Sequence, residues 1–121
     1  MLDTHVLLWW LAGDPIEAAV AERISDPGVL VVVSAASVWE MAIKADLGKL
    51  RVEGSMVEHV AAEGFEPLPI SLLHAERAGS LPLHHRDPFD RLLVAQAQLE
   101  HLTLVTRDPV FGDYEVDVLA G

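Results

Sequence analysis

A chain of 121 residues, 51% of them apolar and none of them cysteine, carries a formal net charge of −11. That length suits one compact domain spanning residues 1–121 with a full core, and the lack of cysteine excludes disulfides, thiolate zinc sites and a cysteine nucleophile while fitting a reducing compartment. The excess of acid opposes a nucleic-acid binder built on a broad basic face. It leaves cationic partners, or acids gathered where a divalent metal reverses the local sign.

The opening MLDTHVLLWWLAG lacks a basic leader and carries Asp3 and His5 within it, so it does not read as a signal segment. No other apolar run approaches the roughly 18 residues of a membrane span, and a soluble, cytoplasmic protein without membrane contact is expected. Met1 and Leu2 form a very short first strand ending at Asp3, and VLLWWLA is a helix. A second helix is predicted from Pro15 through Ile16, Ala19, Val20 and Ile24, stopped by Asp26, Pro27 and Gly28. VLVVV at 29–33 is a buried strand. SAASVWEMAIKADLGKL is a serine-capped helix with Ala36, Trp39, Ile43 and Leu47 on one face, ended by Gly48.

A helix over 55–63 leads to FEPLPI, a short strand whose prolines place it at an edge. Residues 71–78 form a short helix. HRDPFDRLL opens a long helix that runs to about His101, with Asp87 suited to the N-cap and Pro88 to the first helical position. LTLVT at 102–106 is the next strand, Asp108 and Pro109 follow it, and a last strand lies near VDVL. Strands alternating with helices predict an α/β fold with a mainly parallel sheet.

Four acids recur at related places. Asp3 and Asp108 follow strands, while Glu40 and Asp90 lie in the first turns of helices that follow strands or open a helix at the same edge. In a parallel α/β sheet these positions converge where ligands bind. Each acid also has a local explanation: Asp3 as an N-cap, Glu40 with Lys44 as a surface pair, Asp108 as a turn residue before Pro109. Convergence makes the joint reading stronger than its parts, and carboxylates crowded together call for a hard cation such as Mg²⁺ or Mn²⁺.

LDTHVLLWWL, SAASVWEMAIKADLGKL, FEPLPI, HHRDPFDRLLVAQAQ and LTLVTRDPVF, in that order over nearly the whole chain, resemble the PIN domain and within it the VapC-like toxins of type II toxin–antitoxin systems. The resemblance implies a PIN-like α/β/α sandwich and a Mg²⁺- or Mn²⁺-dependent endoribonuclease. It places the active-site and metal-ligating acids on Asp3, Glu40, Asp90 and Asp108, with Asp87 outside that quartet. It also implies an RNA substrate, 5′-phosphate and 3′-hydroxyl products, a homodimer and a cognate antitoxin that covers the site. Members of the family have a longer strand before the first Asp, so a clipped start is expected here.

The other signals are weaker. Arg86, Arg91 and Arg107 flank the acids and suit either RNA phosphate or local salt bridges. Trp9, Trp10 and Trp39 read as core rather than as base-stacking platforms. His84 and His85 could bind metal but read as loop residues, since no HExxH or cysteine set accompanies them, and His5 suits either the lining of the site or an ordinary helix-start role beside Asp3. Nucleotide-binding and serine-hydrolase motifs are absent. The alternatives are a PIN-like module that binds without cutting, and a phospho-acceptor receiver domain, which by resemblance needs a late lysine where this chain has none after Lys49.

Overall fold

A computed structural model describes residues 1–121. Four three-residue strands, β1 (Val32–Ser34), β2 (Glu66–Leu68), β3 (Leu104–Thr106) and β4 (Val118–Ala120), pair as β1 with β2 and β3 with β4, both parallel. The N-terminal residues join the two pairs. Leu2 N–H donates to Val32 O, while Val105 N–H donates to Met1 O and Asp3 N–H to Val105 O. The order across the sheet is thus β2, β1, Met1–Asp3, β3, β4, and the direction of chain progression reverses between Met1–Asp3 and β3. Such a reversal opens a crevice at the strand ends, and Asp3 and Asp108 flank it.

Alternation along the strands sorts the core into two layers. Met1, Val32 and Leu104 point to one face and meet Leu93, Val94, Ala97, Phe111 and Tyr114. Leu2, Val33 and Val105 point to the other and meet Val6, Leu7, Val20, Ile24, Val60 and Phe65. Helices α1 (Thr4–Ala12), α2 (Ala18–Ser25) and α4 (Met56–Ala62) serve the second face; α5 (Leu72–Ser80) and α6 (Pro88–Glu100) serve the first. This is the expected α/β sandwich. Helix α3 (Ala35–Asp46) reaches both layers, through Ala36 and Met41.

Some boundaries differ from expectation. Helix α2 begins at Ala18 rather than Pro15, because Glu17 is the extended N-cap residue. The strand predicted over 29–33 is confined to Val32–Ser34, since Val29 N–H is taken by Asp26 O in the preceding turn and Leu30 is exposed. Strand β3 likewise begins at Leu104 rather than Leu102, whose N–H closes the end of α6 onto Ala97 O. A 3₁₀ turn, Pro109–Asp113, follows β3 where no element was predicted.

The largest difference lies on α3. Its inward face carries Ala36, Ser37, Glu40 and Met41, and Trp39 is 56% exposed, with Ile43 and Leu47 also exposed. Trp39 is therefore not a core residue. It packs edge-on against Phe89, with centroids 5.0 Å apart. Trp9 and Trp10 are half-buried beside the second layer, Trp9 under the Arg107 guanidinium at 4.2 Å and Trp10 donating to Glu63.

Candidate functional site

Helix N-termini build the acidic edge. Asp3 caps α1, its Oδ1 accepting Val6 N–H at 2.8 Å, while its Oδ2 accepts the Thr106 hydroxyl. Thr106 Oγ1 in turn accepts Asp108 N–H at 3.0 Å. One threonine at the end of β3 thus ties together the two acids that flank the crevice. Asp108 caps the 3₁₀ turn through Oδ1, which accepts Val110 N–H at 3.0 Å, and leaves Oδ2 turned elsewhere. Asp3 is 4% exposed, and burial holds its carboxyl above the usual range despite the hydrogen bonds from Thr106 and Val6 and the nearby His5.

At the start of α6 the two aspartates separate as the sequence suggests. Asp87 Oδ1 accepts both Phe89 N–H (2.8 Å) and Asp90 N–H (3.3 Å), so Asp87 is the cap. Asp90, in the first turn, is free of capping. Its Oδ2 lies 2.9 Å from His85 Nε2, and the same nitrogen lies 3.2 Å from Asp108 Oδ2. Asp87 N–H points at His85 Nδ1 (3.3 Å), which leaves Nε2 facing the two carboxylates. The Asp90 carboxyl is pushed up to about 7, first by burial and then by the Asp87 charge; Glu40 and Asp3 add to the rise and His85 opposes it.

Glu40 is not the surface pair that its local pattern suggested. It is 6% exposed; Oε2 meets Lys44 Nζ at 2.8 Å, and Oε1 is buried with no hydrogen-bond partner. An orphaned carboxylate oxygen costs the full desolvation of that atom. All four predicted acids therefore share one neighbourhood: the Asp90 carboxyl senses Glu40 and Asp3, and Asp3 senses Asp108. The donor set, oxygen-rich with one unpartnered anionic oxygen, fits a divalent cation.

His85 lies in a loop, as expected, but it is not solvated there: its side chain is 18% exposed, and with Asp90 and Asp108 it forms a cluster whose ligand atoms lie within 4.8 Å of one another. His84 does lie in an exposed turn, against the Tyr114 ring. Two of the three arginines are also committed. Arg91 donates to four main-chain oxygens, those of Ala78, Leu81, Pro82 and His85. Arg107 donates to Gly121 O and Pro15 O and stacks on Trp9. Arg86 is exposed and makes no hydrogen bond or ion pair, so it alone is available to a phosphate beside the acids.

The PIN domain family matches residues 1–116. The chain belongs to the PIN domain family. This PIN domain thereby departs from the receiver alternative, and PIN domains are in general nucleases. Its fold is similar to a chain of FitAcB from Neisseria gonorrhoeae, at 26% identity and a TM-score of 0.67 over 98% of this chain and 95% of that one. A toxin–antitoxin complex from Klebsiella pneumoniae contains a chain 24% identical, TM-score 0.67, with 98% and 94% covered. VapBC2 from Rickettsia felis, crystallised with a DNA fragment from its promoter, gives 16% identity and a TM-score of 0.69, with 98% and 96% covered. No protein of curated function matches in sequence. No helix is long and apolar enough to cross a membrane.

Proposed function

We propose that this PIN domain is a metal-dependent endoribonuclease, the toxin of a toxin–antitoxin pair, with Asp3, Glu40, Asp90 and Asp108 as its catalytic and metal-holding residues. The observation that carries the reading is the convergence of the acids: Asp90 and Asp108 offer ligand atoms within 4.8 Å of each other, Thr106 ties Asp108 to Asp3, and Glu40 keeps a buried carboxylate oxygen without a partner. Mg²⁺ or Mn²⁺ would be held by Asp3, Asp90 and Asp108 with Glu40. The chemistry such a cation supplies is an acidified water and neutralisation of charge at a phosphodiester.

The chain's own residues account for the rest. Val6 N–H and Thr106 fix the Asp3 carboxylate, Val110 N–H fixes that of Asp108, and Asp87 spares Asp90 from capping. Glu40 Oε1 is free to accept a hydrogen bond from the attacking water and so to orient it. Arg86 meets the RNA phosphate from the exposed side. The test is cleavage of a mixed RNA substrate with Mg²⁺ or Mn²⁺ against excess chelator. Cleavage that is lost with chelator, restored by metal and absent in Asp3→Asn is expected; full cleavage in chelator refutes the reading.

A cognate antitoxin and a homodimer belong to the same proposal. Beside the acids, α3, α4 and β2 border an apolar groove of about 560 Å³ lined by Val38, Trp39, Val57, Phe65 and Pro67. Trp39 and Phe89 form its rim toward α6. An antitoxin with an apolar segment in this groove and an arginine at the acids would occupy the place of metal and RNA phosphate. Binding that suppresses cleavage and weakens with salt is expected; a partner that binds tightly and leaves cleavage unchanged contradicts it.

A further inference from the structure

We propose that His85 is a nitrogen ligand of the metal site, turning an all-oxygen set into a mixed one that favours Mn²⁺ and later first-row dications over Mg²⁺. The inference rests on the metal-dependent reading above and specifies one donor atom within it. Geometry carries it. Donor atoms about 2.1 Å from an octahedral cation lie about 3.0 Å from their neighbours in the shell. His85 Nε2 stands 2.9 Å from Asp90 Oδ2 and 3.2 Å from Asp108 Oδ2, already at that spacing.

The chain fixes this imidazole from several directions. His85 N–H donates to the Tyr114 hydroxyl at 2.7 Å, and that hydroxyl donates to Pro82 O at 2.8 Å. His85 O accepts from Arg91 at 3.2 Å, and the ring packs on Phe111 with centroids 5.6 Å apart. A ring placed only to fill a loop has no need of such restraint, whereas a ligand held within fractions of an ångström does. A second observation calls for positive charge nearby: Glu40 Oε1, in a side chain more than nine-tenths buried, is unpartnered, and its charge is felt at Asp90.

In the Nδ1–H tautomer, which gives up the long 3.3 Å contact from Asp87 N–H, Nε2 would offer its lone pair to the cation. Imidazole nitrogen suits transition metals better than Mg²⁺, which prefers carboxylate and water. His85 therefore sets which metal the site takes.

The experiment is pulsed EPR of the full chain loaded with Mn²⁺ alone, with calorimetric titration of Mn²⁺ and of Mg²⁺ into wild type and His85→Ala. A ¹⁴N coupling on the bound Mn²⁺ is expected, and His85→Ala should bind Mn²⁺ about tenfold or more weakly with a smaller loss for Mg²⁺. Mn²⁺ that binds through Asp90 and Asp108, as shown by its loss in Asp90→Asn, but shows no nitrogen coupling overturns the role of His85 and leaves the metal site standing. Wild type that binds no Mn²⁺ overturns both. Because the EPR measurement uses wild type, misfolding of His85→Ala cannot obscure the outcome.

Discussion

Removing the charge of Asp90 should stabilise the metal-free protein, although the residue lies at the heart of the site. In the fold its carboxyl is raised to about 7 against an ordinary value of 3.8, by burial first and the Asp87 charge second. The folded state therefore holds this proton to higher pH than the unfolded chain does. Between about pH 4 and pH 7 the folded form binds more protons, so stability falls as pH rises through that window. The full rise corresponds to about 4 kcal/mol, and relaxation of the site in solution leaves an expected effect of about 2 to 4 kcal/mol. Asp90→Asn keeps an oxygen for His85 Nε2–H and loses the charge. Thermal melts of both proteins in chelator, from pH 4 to pH 8, should come closest together at the acid end. At pH 8 the variant should melt higher, by roughly 5 to 15 °C for a domain of this size. A variant that melts below wild type at pH 8, or a gap that does not open with pH, refutes the reasoning.

Four further outcomes follow from the same contacts. At pH 5, where Asp90 carries its proton, Asp87→Ala should cost about 1 kcal/mol in chemical denaturation through loss of the α6 cap, and at neutral pH its metal-dependent cleavage should persist. Arg91→Met strips four main-chain oxygens of their donor and should cost about 2 to 4 kcal/mol. Arg86→Ala should change stability by less than about 0.5 kcal/mol while weakening RNA binding. Mn²⁺ at a hundredfold excess over its dissociation constant should raise wild-type stability by about 2.7 kcal/mol, with much less effect on Asp3→Asn; equal shifts in the two proteins would place the bound metal elsewhere.

Much of this arrangement is legible along the chain because capping is local. Asp87 before Pro88 announces the start of α6, and the third helical position then carries Asp90 away from the cap. The convergence of the acids follows from parallel topology, which the alternation of short apolar runs and helices implies. Strand lengths are less legible, since a run such as VLVVV is apolar throughout, while only two of its residues, Val32 and Val33, pair with the neighbouring strand. On α3 two stripes compete: Trp39, Ile43 and Leu47 offer more apolar area, yet Ala36, Ser37, Glu40 and Met41 turn inward. Periodicity identifies stripes and cannot weigh one against another when the inward one must deliver a carboxylate to the sheet edge. The local signal at His85 is weak, since no ligand motif accompanies the His84–His85 pair. Its partner Asp108 is 23 residues away, and the restraint comes from Tyr114 and Arg91, which only the fold brings near. The one usable hint was its position two residues before the cap of α6.

The central claim is that the acids direct a water, activated by metal, against an RNA phosphodiester, and the ends of the cut RNA report on this most directly. Reaction of a 5′-labelled RNA with Mn²⁺, with an identical reaction in chelator, should give fragments bearing 5′-phosphate and 3′-hydroxyl ends with metal and intact RNA without it. Fragments ending in 2′,3′-cyclic phosphate, formed equally in chelator, would show that the RNA's own hydroxyl is the nucleophile and would contradict the account.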